Sequence, residues 1–165
     1  MQDEVLVLGR LFREHAAWRA AARYVSAPDA TSDVYFTTRP GEAWHLALRG
    51  DHAELLPGRS ADPDFVFRFA PGAVRRLAEE HDGLAGFAMA LFRAMESADP
   101  EEHVDLRVVA GFGRLVRRGY VKLVAAAGPR LLVFAAERGL RGLPALKRLV
   151  DGARRARPYD WEVPE

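Results

Sequence analysis

The stretch Ala61–Glu80, ADPDFVFRFAPGAVRRLAEE, constrains the fold more than any other part of this sequence. Phe65, Phe67 and Phe69 alternate with Val66 and Arg68. Successive side chains of a strand point to opposite sides, so a strand here sets three aromatic rings on one face. Pro71 follows at once, in the place of a first helical residue, where its missing N–H is not needed. Val74, Leu77 and Ala78 then recur at helical spacing. The segment reads as a strand that turns straight into a helix. Three phenylalanines on one strand face need a deep apolar partner, each contributing about 1.5–3 kcal/mol when fully buried. Two readings meet that need: a packed core, and one wall of an apolar ligand cavity.

The elements before this stretch follow from local pattern. Residues 3–25 read as one helix, with Leu8, Leu11, Phe12, His15, Trp18, Ala22 and Val25 at three- and four-residue spacing, and Asp3 and Glu4 suited to its positive end. Ser26–Asp33 is rich in turn formers and reads as a loop. Asp33–Thr38, Ala43–Arg49 and His52–Leu56 read as strands. Pro40-Gly41 fits a type II turn and Gly50-Asp51 a two-residue hairpin turn. With Asp64–Phe69, four sequential strands joined by tight turns predict an antiparallel meander. Arg49, Glu54 and Arg68 predict that one face of the sheet meets solvent.

After it, Pro71–Glu80 and Leu84–Ser97 read as helices. The second is apolar on nearly every side, which places it between layers or along a cavity. His103–Ala110 alternates and predicts a fifth strand. Residues from Gly111 to Val124, Arg130–Arg138 and a segment opened by Pro144 predict C-terminal helices, and Arg157–Glu165 an extended tail. A chain of 165 residues fits one domain. Its parts are an N-terminal helix (1–25), the sheet with covering helices (33–110), C-terminal helices (111–157) and a tail (158–165). The fold class expected is α/β (α+β), a five-stranded, mostly antiparallel sheet covered by helices.

Charge and composition remove several functions. The sequence has no cysteine, which excludes disulfides, thiolate metal sites and cysteine nucleophiles. Its net charge is +1, which gives no general pull toward nucleic acid or membrane. The apolar run of MQDEVLVLGR is too short for a signal peptide, and a cytoplasmic location is expected. His15, His45, His52, His81 and His103 follow no zinc spacing; His45 and His52 flank a hairpin, without an evident third ligand. No serine lies in a Gly-x-Ser-x-Gly elbow. Gly111-Phe-Gly113 lacks the third glycine of a dinucleotide fingerprint. No metal, cofactor or catalytic set is therefore expected, and binding is favoured over catalysis.

Basic residues gather in the C-terminal third: Arg114, Arg117, Arg118, Lys122, Arg130, Arg138, Arg141, Lys147, Arg148, Arg154, Arg155 and Arg157. They fit a solvated face balanced by acidic residues earlier in the chain. They also fit peripheral contact with an anionic membrane or an acidic protein. The aromatic interleaving of RNA-binding surfaces is missing, and no nucleic-acid partner is expected.

The segment from Val34 to Met95 resembles the sterol carrier protein-2 (SCP2-like) domain family. The resemblance lies in the turn Arg49-Gly50-Asp51, the short strand ending at Gly58, and the Ala-Asp strand running into a helix over Ala61–Leu77. It implies an apolar tunnel between sheet and helices that holds sterol, fatty acyl or other lipid chains, with no fixed catalytic set. It departs from the family after Val104–Ala110, where GFGRLVRRGYVKL and further helices stand in place of a closing Gly-Lys-Leu strand. The lining residues expected are Phe65, Phe67, Phe69, Phe87, Leu91, Met95, Leu106, Val108, Phe112 and Leu115. The partner expected is a lipid or other apolar small molecule. The alternative is a structural or regulatory module that uses the arginine-rich face.

Overall fold

The computed structural model of the protein describes residues 3–25, 30–80, 82–154 and 157–162. His81, Arg155, Pro164 and the Ser26–Asp29 part of the expected loop lie outside them.

The chain opens with two helices, α1 (Glu4–Glu14) and α2 (Ala16–Ala22). One continuous helix was expected. His15 breaks it by taking an extended conformation, and its imidazole accepts a hydrogen bond from the Ala17 N–H at 3.2 Å. Asp3 caps α1 by accepting from the Val5 N–H at 3.0 Å. The strands are β1 (Ala30–Phe36), β2 (Trp44–Arg49), β3 (His52–Pro57), β4 (Phe65–Phe69) and β5 (Val104–Val108). Strand β1 starts three residues before the expected strand and takes up the second half of the expected loop. Between β4 and β5 lie α3 (Pro71–Glu79) and α4 (Gly83–Glu96), close to the expected spans. At Pro40-Gly41 the Glu42 N–H donates to the Arg39 carbonyl at 3.2 Å and Gly41 has φ +80°, as a type II turn requires.

The five strands form one mixed sheet in the order β3-β2-β1-β4-β5. Three of the four pairings are antiparallel, but β1 pairs β4 in parallel. This corrects the meander: β4 does not lie beside β3 but on the far side of β1. Parallel neighbours normally need a long, helical crossover. Here only Gly58–Asp64 makes the passage. Three strand spacings are about 14 Å and seven extended residues reach about 23 Å, so an extended segment laid across the sheet suffices. Its contacts show which face it crosses. The Gly58 carbonyl meets His45 Nδ1 at 2.9 Å, the Ser60 N–H donates to Asp33 Oδ1 at 2.8 Å, and the Arg59 guanidinium lies over Tyr35.

His45, Asp33 and Tyr35 share a face with Arg49, Glu54, Arg68, Asp105 and Arg107, as the registers require. The opposite face carries Val34, Phe36, Trp44, Leu46, Leu55, Phe65, Phe67, Phe69, Val104, Leu106 and Val108. Helices α1, α3 and α4 pack on that apolar face around Leu8, Phe12, Val74, Leu77 and Phe87. The tail covers part of the polar face. It was expected to be extended, but Asp160–Glu162 forms a single 3-10 turn. Glu162 is buried and takes a bidentate ion pair from Arg107, while Trp161 packs between Tyr35 and the guanidinium of Arg68.

The C-terminal helices are α5 (Phe112–Arg117), α6 (Tyr120–Ala126), α7 (Pro129–Glu137) and α8 (Gly142–Arg154). One helix from Phe112 to Val124 was expected, and Gly119 divides it at φ +89°. A side chain there would also overlap the carbonyl oxygen of Tyr24, at the end of α2. One carboxylate fixes this divided segment. Asp64 is fully buried, and accepts from Arg114 Nε and Arg118 Nη1 at 2.7 Å each and from the Tyr120 hydroxyl at 2.9 Å. Its carbonyl accepts from the N–H groups of Val109 and Ala110. Removing a buried partner leaves charge uncompensated, at about 3–5 kcal/mol. Asp64→Ala should lower the unfolding free energy by that order in urea titration, whereas Asp62→Ala, at an exposed carboxylate that shares Arg114, should cost under about 1 kcal/mol.

Candidate functional site: the helix-covered face of the sheet

The three phenylalanines of β4 form a continuous row on the apolar face. Ring centroids are 6.0 Å apart for Phe65–Phe67 and 5.6 Å for Phe67–Phe69. The row joins two apolar clusters. One holds Phe67, Phe69, Phe87, Leu91 and Met95, together with α1 and α2. The other holds Phe65, Val108, Phe112 and Leu115, together with Val150 of α8. Leu106 pairs with Phe67 across the β4–β5 ladder and belongs to neither cluster.

Burial divides the ten expected lining residues. Phe69, Phe87, Val108 and Leu115 are buried, as in any core. Phe65, Phe67, Leu91, Met95, Leu106 and Phe112 are half-buried, although they lie on the covered side of the sheet or on the helices that cover it. Two open concavities mark the surface elsewhere. One, about 370 Å³, lies at the sheet end beside Thr37, Arg68, Ser97, His103 and Asp105. The other, about 380 Å³, lies between α4 and α7 beside Met89, Arg130, Val133, Phe134 and Glu137. None of the ten residues lines either of them.

Sequence reasoning did not bring Trp18 and Tyr120 into this site. Trp18 packs edge-on against Phe12 and Phe87, with centroids 4.6 and 5.6 Å away. Its indole Nε1–H is buried without a hydrogen-bond partner among the described residues, an arrangement that costs about 1–3 kcal/mol. Tyr120 stands edge-on to Phe65 at 5.0 Å while its hydroxyl holds Asp64. The helical stripe of residues 3–25 pointed to Trp18 as an inward residue, but not to Phe87 as its neighbour. The apolar stripe from Phe112 to Val124 included Tyr120, but did not point to its partners, which come from β4 and the residue before it.

The polar face is closed by its own bonds. Burial pushes the Asp33 carboxyl above its ordinary pKa of 3.8, against the opposing hydrogen bonds of Ser60 and the charges of His45 and Arg59. Burial raises the Tyr35 hydroxyl as well. The two histidines weighed for metal each have other partners: His45 meets the Gly58 carbonyl, and His52 meets Asp51 at 3.1 Å. Among the described residues no group of three or more histidine or acidic side chains could hold a metal ion. Among the described residues, too, no helix is long and apolar enough to cross a membrane.

No family model and no curated protein matches this chain. Among solved structures the chain is similar to one titled "UbiJ-SCP2 Ubiquinone synthesis protein". The TM-score is 0.43 at 12% identity, over 74% of this chain and 85% of that one.

The raised Asp33 pKa has a definite sign. Its ionised form is disfavoured in the folded state, so the resulting penalty is present at neutral pH and fades as pH falls through the folded-state value toward 3.8. Asp33→Asn keeps an acceptor for the Ser60 N–H and removes the charge. The variant should unfold at a higher denaturant concentration than wild type at neutral pH, and this advantage should vanish in acid.

Proposed function

We propose that this protein binds a lipid or other hydrophobic small molecule between the apolar face of its sheet and the helices that cover it. The observation that carries the reading is the half-burial of Phe65, Phe67, Leu106, Leu91, Met95 and Phe112 on facing surfaces of the covered side. Side chains in a filled core lose nearly all contact with solvent. Apolar side chains that keep part of theirs on an inner face border accessible space. Binding sites for small molecules are typically concave, mostly apolar and supplied with few polar groups. The unpartnered Trp18 Nε1–H is one such group, and suits a ligand with a single acceptor oxygen. The SCP2-like resemblance of Val34–Met95 supports the same class of ligand: sterol, fatty acyl or related chains.

The lining in this reading is Phe65, Phe67, Phe69, Phe87, Leu91, Met95, Leu106, Val108, Phe112 and Leu115. Flexible Met95 and the small Ala90 and Ala94 of α4 would let the wall adapt to chains of different shape. No residue is assigned a catalytic role.

Native mass spectrometry of the purified protein, followed by organic extraction, should recover a bound apolar molecule. Leu91→Trp should reduce binding of a fluorescent fatty acid at least tenfold while the circular dichroism spectrum stays unchanged. Unchanged probe binding by a folded Leu91→Trp protein would remove Leu91 from the lining. A clean apo mass together with no probe uptake by wild type would replace the cavity with a packed core.

A further inference from the structure

The C-terminal helices leave exposed what helices normally bury. Helix α6, with the sequence YVKLVAA, has no fully buried residue. Seven large apolar side chains stand exposed in this part of the molecule: Val116, Val124, Leu132, Val133, Leu143 and Leu149, with Tyr24 beside Gly119 at the start of α6. Leu132 and Val133 are 52% and 58% accessible, which is unusual for aliphatic residues next to each other on one helix. Exposed apolar groups that lie together, as Leu132 and Val133 do, mark an interaction surface.

The charge of the same region selects the partner. Residues 112–154 hold ten arginines and lysines against two acidic residues, Glu137 and Asp151. Six of the ten are engaged within the protein. Arg114 and Arg118 hold Asp64; Arg130 meets Asp82, Arg138 meets Glu96, Lys147 meets Asp151, and Arg154 donates to the Val109 carbonyl. Arg117, Lys122, Arg141 and Arg148 are exposed and form no ion pair among the described residues. Unpaired cations thus alternate with exposed aliphatic side chains along α5 to α8. Arg117 ends α5, and Lys122 and Val124 stand on α6, so neighbouring short helices offer both a charge for a phosphate and a side chain for the acyl boundary. Surfaces of this mixture bind the interface of anionic bilayers, where apolar burial and charge attraction add.

We propose that α5–α8 form a docking surface for anionic lipid bilayers. Val124, Leu132, Val133 and Leu149 enter the acyl boundary, and Arg117, Lys122, Arg141 and Arg148 meet lipid phosphates. The groove between α4 and α7, lined by Met89, Arg130, Val133 and Phe134, shares Val133 with this surface. The inference does not depend on the interior binding site, because it rests on exposed residues alone.

Co-sedimentation of the full chain with vesicles tests it. Binding is expected to vesicles of phosphatidylcholine containing one-third phosphatidylglycerol, but not to pure phosphatidylcholine, and should weaken steeply with salt. The paired variant Arg117→Gln/Lys122→Gln should partition roughly thirtyfold less, at about one tenfold step for each 1.4 kcal/mol and about 1 kcal/mol per charge. Leu132→Ser/Val133→Ser should also lose binding, with circular dichroism unchanged. Three results would overturn the proposal: no binding to either vesicle, equal binding to both, or full binding by the two variants. Salt-sensitive capture on polyglutamate beads without vesicle binding would assign the surface to an acidic protein instead. Native mass spectrometry of the same preparation reads the interior separately, so an empty interior in a vesicle-binding protein leaves this inference standing.

Discussion

Between Pro57 and Phe65 the chain passes from one edge of the sheet to the far side of its central strand, and the passage dictates most of what surrounds it. Its seven residues have no hydrogen-bonding ladder of their own. Their backbone groups must find partners on whatever they cross. Asp33 serves the Ser60 N–H, and His45 serves the Gly58 carbonyl. A buried carboxylate therefore sits on the central strand, at the cost in desolvation that its raised pKa records. Because the crossing occupies the polar face, the helices are left to the other one. The connection that makes β4 a neighbour of β1 is thus also what concentrates the apolar layers on the Phe65–Phe69 side.

Delivering β4 to that position brings Asp64 with it, one residue before the strand begins. Its carbonyl closes the end of β5 and its carboxylate gathers Arg114, Arg118 and Tyr120. Two arginines that read in the sequence as parts of a general basic face are therefore committed inward. The basic third is not uniform. Some of its charge holds the fold together, some pairs across helix surfaces, and a remainder that includes Arg117, Lys122, Arg141 and Arg148 is left for other partners.

Local pattern made the elements of this fold legible. The alternation of Phe65–Phe69, the Pro71 helix start, the Pro40-Gly41 and Gly50-Asp51 turns and the apolar stripe of α4 each carry their own signal within a few residues. The order of the strands carried none. A meander and a crossing differ only in where Gly58–Asp64 goes, and that depends on Asp33 and Tyr35, residues far off in sequence. The two broken helices escaped for the opposite reason. The apolar period continues through His15 and Gly119, while the break is made by one residue's backbone: an extended His15 that caps the next helix, and a Gly119 pressed against Tyr24. Within the candidate site, the β4 and α4 members were legible as inward faces. Trp18 and Tyr120 were legible only as members of helical stripes, since they reach the site through contacts between elements.

That same glycine also shapes the helices beside the inner face of β4 and β5. A single helix from Phe112 to Val124 would present a continuous apolar stripe to the sheet. Division at Gly119 leaves two short helices, the first held by Arg114 on Asp64 and by buried Leu115, the second held on Asp64 by Tyr120 but with no buried residue. Short helices gain little from their own hydrogen bonds and depend on packing for stability. A helix that packs as little as α6 is drawn from the weakly held end of the structure's range of local stabilities. It begins at Tyr120, whose ring rests on Phe65. The C-terminal helix without a buried residue therefore starts at the edge of the aromatic row, anchored there by Tyr120.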